Sequence, residues 1–213
     1  TMRSVGVNPA IEENAVARGS RGLAQAQGEA RSLLEALLHA AERDRLRPDA
    51  KLLALLAWIR RNQCAAVRTP GDSQRPQRSG KRGAPANADW SDRRLIIFTE
   101  YGDTKRYLLE QLTAALQDTA QGDERILQLH GGMSDEAREE VQAAFNAPPV
   151  QEPVRILIAT DAAREGINLQ AYCADLIHYD VPWNPARMEQ RNGRIDRTLQ
   201  PKPEVFCSYF SYR

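Results

Sequence analysis

Leu95-Ile96-Ile97-Phe98-Thr99 is a run of five residues, apolar as far as Phe98 and β-branched at Ile96 and Ile97. A run this short and this apolar fits a strand buried on both faces, as strands inside a parallel sheet are. Downstream, Asp103 or Thr104 starts a helix whose apolar stripe is Leu108, Leu109, Leu112, Ala115 and Leu116, with Gly122 just past its end. Ile126 to His130 then form a strand, Gly131-Gly132 a turn, and Ser134 opens a helix with Asp135 and Glu136 in its first turn. Ala137, Val141, Ala144 and Phe145 mark the buried face of that helix. Pro148, Pro149 and Pro153 interrupt the chain before a third strand, Arg155 to Ala159. A fourth, Leu176 to Asp180, leads through Val181-Pro182-Trp183-Asn184-Pro185 into a helix from Ala186 to about Arg197, and Val205 to Tyr209 form a last strand. Strand, helix, strand order implies right-handed crossovers, hence an α/β fold with an open doubly wound parallel sheet. Ligands of such sheets sit beyond the carboxyl ends of the strands, in the loops after Phe98, His130, Ala159 and Asp180.

Upstream of Leu95 the text reads differently. From Glu29 to Arg47, Leu33, Leu34, Leu37, Leu38 and Ala41 recur at helical spacing, and Pro48 stops that helix. Asp49 caps a second helix whose Leu52, Leu55, Leu56 and Ile59 form one stripe that needs a core to pack on. Residues 1–28 lack periodicity and read as an irregular lead-in. Residues 65–92, rich in Pro, Gly, Ser, Gln and Arg, carry too few large apolar side chains to offset the entropy of ordering and read as a flexible insertion in a domain spanning 29–213. Residues 64–94 hold seven basic groups against three acidic ones. A solvated loop accounts for that excess more simply than contact with a phosphate backbone.

The 213 residues are 42% hydrophobic and 27% charged, with 29 basic against 28 acidic groups, a globular composition. No apolar run is long enough to cross a membrane and no secretory signal is apparent, so the expected location is cytoplasmic, with no membrane partner. Cys64, Cys173 and Cys207 are too widely spaced for a disulfide framework or a paired zinc motif, and no metal site is expected.

Two segments carry the chemistry. After the third strand stands Ala159-Thr160-Asp161-Ala162-Ala163-Arg164-Glu165-Gly166-Ile167-Asn168-Leu169-Gln170, and after the fourth Gln190-Arg191-Asn192-Gly193-Arg194-Ile195-Asp196-Arg197. The second places Arg191, Arg194 and Arg197 at successive spacings of three, which aligns them along one helix face, where like charges repel. Phosphate oxygens would neutralise such a row, and a guanidinium fork suits them; Asp196 and Glu189 offer the alternative of a salt-bridged solvent face.

In combination these segments resemble motifs V and VI of the superfamily 2 helicases and translocases. Ile96 to Tyr101 resembles motif IV, and Leu129-His130-Gly131-Gly132-Met133-Ser134 the turn that follows it, so the resemblance runs in order over roughly residues 49–210. It is closest to the SWI/SNF-type ATPases, especially the bacterial branch typified by the RNA-polymerase-recycling translocase. The resemblance implies the second of two RecA-like lobes, with ATP and Mg2+ held mainly by a first lobe that is the partner of this one. A phosphate-binding loop ending at Gly80-Lys81 would need a glycine where Arg75 stands and a Ser or Thr where Arg82 stands. Asp135-Glu136-Ala137-Arg138 has no apolar strand leading into it, so it is not an acidic Walker-type motif. The chain is therefore expected to be a piece, starting at Thr1-Met2, that does not hydrolyse ATP alone.

Carried over position by position, the resemblance makes Arg194 and Arg197 arginine fingers on the γ-phosphate. Gln190 would hold the lobes in register, while Arg191 would form internal pairs. Gly166 would allow close backbone approach, Glu165 and Asn168 would connect nucleotide to nucleic acid, and Thr160 would bond a backbone phosphate, with Thr99, Gly131 and Gly132 as secondary contacts. Contacts of this kind suit a translocase on duplex DNA. The alternatives are a non-enzymatic nucleic-acid or protein-binding module, and an RNA helicase of DEAD-box type, whose motif V usually lacks the Asn168-Leu169-Gln170 ending. His39 and His178 lack converging ligands and read as structural, and His130 as bonded to nearby backbone. Trp58 reads as a helix residue, Trp90 as a loop residue, and Trp183 as part of a turn that positions the arginine-bearing helix.

Overall fold

The computed structural model describes residues 28–44, 47–69, 89–161 and 167–211. The expected lead-in apart from Gly28, the middle of the expected insertion (70–88), and Glu165 and Gly166 lie outside these residues. The described residues fall into two units, one ending at Arg47 and the other starting at Pro48. In the first, α1 spans Glu29–Asp44, residues 45 and 46 of the expected helix lie outside the described residues, and Arg31 and Glu35 pair across one turn at 2.9 Å.

The second unit opens with α2 (Ala50–Asn62), where the Asp49 side chain accepts a hydrogen bond from the Leu52 amide at 2.7 Å, as the sequence predicts. Then follow β1 (Arg94–Thr99), α3 (Gly102–Leu116), β2 (Ile126–Leu129), α4 (Asp135–Asn146), β3 (Ile156–Thr160), β4 (Cys173–His178), α5 (Pro185–Asn192) and β5 (Phe206–Tyr209). The five strands form one sheet in the order β2-β3-β1-β4-β5, every pairing parallel, which is the expected open doubly wound α/β architecture.

Alternation along β1 explains both faces. Leu95 and Ile97 join Ile156, Ile158 and Ile177 beneath α2 and α3, against Leu52, Leu55, Leu56, Ile59, Leu108 and Leu112. Ile96 and Phe98 join Leu157, Ala159, Cys173 and Leu176 on the other face, against Phe145 of α4 and Ile195. Burying an aliphatic side chain of this size is worth about 1.5–3 kcal/mol relative to leaving it exposed, and a strand interior in a parallel sheet collects that gain on both faces. β5 departs from this pattern, since all four of its residues are exposed.

Three departures from the sequence reading bear on packing or on the site. β4 begins at Cys173 and ends at His178, with an irregular register where Arg94 and Leu95 pair with Cys173 and Asp175. The flanks of the expected insertion are packed: Cys64 and Val67 are buried, and Trp90 lies against the same core. The Gln63 side-chain amide holds those flanks by donating to the carbonyls of Arg93 at 2.9 Å and Arg155 at 3.0 Å. The third difference is the end of α5, which governs the site.

Candidate functional site

At the carboxyl ends of β1, β3 and β4 the polar side chains interlock. The Thr99 hydroxyl donates to one Asp180 carboxylate oxygen at 2.5 Å, and the Glu100 amide donates to the other at 2.8 Å. Asp161, directly after β3, accepts two hydrogen bonds from Arg191 of α5, from Nε and Nη2, each 2.6 Å. Arg191 is 2% exposed, its Nη1 donates to the Asp180 carbonyl at 2.9 Å, and its guanidinium lies 5.5 Å from the Phe98 ring centroid. One turn earlier on α5, Arg187 bonds Glu100 at 3.1 Å and approaches Asp161 at 3.9 Å. A buried, forked pair of this kind fixes geometry more than it adds stability, because desolvation offsets much of its Coulomb energy.

The helix carrying Arg191 does not reach Arg197. Asn184 caps its start by accepting from the Ala186 amide at 3.0 Å, Pro185 occupies the first turn, and the helix ends at Asn192. The expected row of three arginines along one helix face is therefore corrected. Beyond Asn192 the chain turns: Gly193 donates to the Glu189 carbonyl at 2.8 Å, Arg194 to the Arg191 carbonyl at 3.0 Å, and Ile195, fully buried, enters the core. Gly193, a weak helix former, stands where the helix ends, and the turn after it keeps Ile195 in the core. Arg191 points inward, whereas Arg194 is partly exposed and Arg197 exposed.

The turn is held from both segments. The Leu169 amide donates to the Arg194 carbonyl at 3.1 Å, and Leu169 and Ile195 share one core. The Gln200 side chain donates to the carbonyls of Ile195 at 2.7 Å and Cys173 at 3.1 Å. Asn168 is exposed, with its carbonyl taking a hydrogen bond from Asn146 at 2.7 Å, and Gln190 is exposed on α5.

Of the expected phosphate contacts, Gly131 and Gly132 are exposed, whereas Thr160 is only 6% exposed. Thr99 is fully buried with its hydroxyl committed to Asp180, so it presents nothing to an incoming phosphate. Trp183, in the loop before α5, is 97% exposed and protrudes from the same end of the sheet. Asp161, Asp180 and Arg187 carry no role in the sequence reading. The one signal for the two aspartates was that each lies within two residues of the end of a strand, Asp161 directly after β3 and Asp180 two residues after β4. Among the described residues no group of three or more His, Cys, Asp or Glu side chains is placed to hold a metal ion, and no helix is long and apolar enough to cross a membrane.

His178 is 1% exposed and bonds Asn192 Oδ1 through Nε2 at 2.8 Å, with Arg191 Nη1 3.5 Å from its Nδ1. Burial lowers its pKa, and the nearby Arg191 charge adds to the effect against the Asn192 hydrogen bond and the Asp161 and Asp180 charges. Burial, with Lys105 and Arg138, lowers that of His130 as well. A histidine held neutral in the folded state and protonated near its ordinary value of about 6.5 when unfolded makes stability fall as pH drops below that value. Urea unfolding at pH 7.5 and 5.5 should therefore show a lower midpoint at pH 5.5. His178→Gln should shrink the difference; an unchanged difference would remove His178 from that account.

Comparison with known proteins agrees with this architecture. The model of the family described as helicase conserved C-terminal domain matches residues 89–198. The uncharacterised ATP-dependent helicase YqhH of Bacillus subtilis (strain 168) is 39% identical over 111 residues, 52% of this chain and 18% of that protein. The ATP-dependent RNA helicase ROK1 of Gibberella zeae is 33% identical over 103 residues, 48% of this chain and 14% of that protein. The RNA polymerase-associated protein RapA of Pectobacterium carotovorum subsp. carotovorum (strain PC1) is 36% identical over 78 residues, 37% of this chain and 8% of that protein. The match thus covers less than a fifth of the length of each of these relatives. The crystal structure of the C-terminal part of the Fun30 ATPase domain shares the fold at a TM-score of 0.51 and 19% identity, covering 84% of this chain and 49% of that one.

Proposed function

The chain belongs to the helicase conserved C-terminal domain family, and from that premise we propose that it is the second RecA-like lobe of an ATP-dependent DNA translocase. In this reading Arg194 and Arg197 reach across a cleft to the phosphates of ATP bound mainly, with Mg2+, by a first lobe. Gln190 and Asn168 flank that cleft, with Glu165 and Gly166 in the same segment. The exposed turn at Gly131 and Gly132 meets a nucleic-acid backbone, and Thr160 does so when the segment after it shifts. The observation that carries the reading is the turn after α5: buried Ile195 anchors it, Arg194 and Arg197 beside it are partly exposed and exposed, and Arg191 just before it is tied to Asp161 at the carboxyl end of β3, the end at which ligands of this architecture bind. The RNA-directed alternative is kept because of the ROK1 match.

The residues present fit half of a nucleotide site. They offer cations for the outer phosphates but no phosphate-binding loop, and a phosphoryl transfer needs both walls. The isolated chain is therefore expected to show no ATP turnover above buffer, whereas the full-length helicase that carries it should hydrolyse ATP and be stimulated by duplex DNA. A phosphate-release assay on both, with duplex DNA, single-stranded DNA and RNA compared, tests this. Turnover by the purified chain would refute the two-lobe reading, and stimulation by RNA alone would move the assignment to the RNA-directed alternative. Raising the salt should weaken nucleic-acid binding steeply, since backbone contacts displace counterions.

A further inference from the structure

We propose that Asp161 and Arg191 are positioning residues for the arginine turn, joining the segment after β3 to Arg194 so that the two move as one unit. The inference rests on the proposed function, because it assigns a purpose to the placement of Arg194.

Arg194 is gripped at both of its backbone polar groups. Its amide donates to the Arg191 carbonyl at 3.0 Å and its carbonyl accepts from the Leu169 amide at 3.1 Å. Both grips lead to the segment that follows β3. Leu169 lies in that segment, and Arg191 is forked onto Asp161, which starts it, through two contacts of 2.6 Å. Asp161 follows Thr160 directly in sequence. Arg187, 36% exposed in its side chain, bridges the same aspartate and Glu100. A shift of the Thr160–Asp161 backbone, such as a bound phosphate would cause, thus has a short, directional route to Arg194 through Arg191. A bidentate guanidinium–carboxylate pair suits this purpose because it fixes orientation as well as distance, which a lysine cannot do.

The test uses the full-length helicase carrying this lobe, with Asp161→Asn, Arg191→Lys, their double variant and Arg194→Ala. Misplacing a catalytic group by about 1 Å can cost on the order of a hundredfold, so each single positioning variant should lower stimulated kcat about 10- to 100-fold. The ATP KM and nucleic-acid affinity should stay within about twofold, the signature of an interaction that counts in the transition state alone. The double variant should lose no more than the worse single one, because the two side chains act as one pair. Arg191→Lys keeps the buried charge, so a part in charge balance alone would leave its kcat at the wild-type level. That result, or an equal loss of binding and turnover, overturns the proposal. If Asp161→Asn fails to fold, Arg191→Lys decides, with Arg187→Gln as the variant the fold tolerates best. Loss of turnover in Arg194→Ala with wild-type kcat in the positioning variants refutes the positioning alone, whereas wild-type turnover in Arg194→Ala refutes the functional reading beneath it.

Discussion

Alanine at Arg194 or at Arg197 is expected to lower ATP turnover of the full-length helicase by about 10³- to 10⁵-fold, the range over which an arginine finger acts. Affinity for nucleic acid should barely change, because the turn at Gly131 and Gly132, the proposed contact to its backbone, lies on a different loop from the arginines. The physical argument begins with Ile195. Its full burial fixes the turn, Gln200 ties that turn to β4, and the neighbouring arginines carry their charge at the surface. Positive charge held in place by structure that is already paid for by packing can stabilise a transferring phosphoryl group without reorganising at the moment of reaction. Lysine at either position should recover only part of the loss, since it keeps the charge but not the planar fork. Steady-state turnover alongside a nucleic-acid titration checks this, and turnover at the wild-type level in both alanine variants would remove the finger assignment.

The second large effect concerns folding. Arg94, the first residue of the central strand, is fully buried, with its guanidinium 5.4 Å from the Phe145 ring centroid and 5.6 Å from that of Tyr172. Nε donates to the Val154 carbonyl at 3.2 Å and Nη1 donates to the Phe145 carbonyl. Phe145 is in the last turn of α4, where carbonyls lack partners within the helix and the dipole favours a cation, so an arginine there answers both needs. Burial, with repulsion from Arg155, pushes its pKa down to about 10, which still leaves it cationic at neutral pH. Nη2 finds no hydrogen-bond partner among the described residues, so the cage is incompletely satisfied.

Arg94→Ala should destabilise the fold by about 3–5 kcal/mol, the cost of emptying a large buried site, increased by carbonyls left without donors. Arg94→Met fills most of the volume and buries no charge, so it should cost no more than about 2 kcal/mol. Equilibrium unfolding in urea separates the two variants. Equal midpoints for Arg94→Ala and the wild type would show that the cage contributes nothing to folding.

Much of the architecture was legible because it rests on local chemistry. The β-branched and aliphatic runs at 95–99, 126–129 and 156–159 could be satisfied only by strands covered on both sides, and Asp49 and Ser134 cap the helices they were expected to cap. The site was legible in part. The segments around Thr160 and Arg194 do meet, through Arg191 on Asp161 and the Leu169 amide on the Arg194 carbonyl. Thr99, in contrast, could not be distinguished from a surface threonine by its neighbours, since what occupies its hydroxyl is Asp180, on another strand's loop.

What the sequence by itself determined is which residues form strands, which helices start where, and which residue types are available at the strand ends. Only the tertiary structure decided which arginine turns inward. Spacing treats Arg191, Arg194 and Arg197 alike, yet the helix ends at Asn192 and the three divide, with Arg191 buried on Asp161, Arg194 partly exposed and Arg197 exposed. The reason is that helix period and helix caps are set by bonds between near neighbours, while the partner of a buried charge is a group far away in the chain, which it meets only once the core has formed.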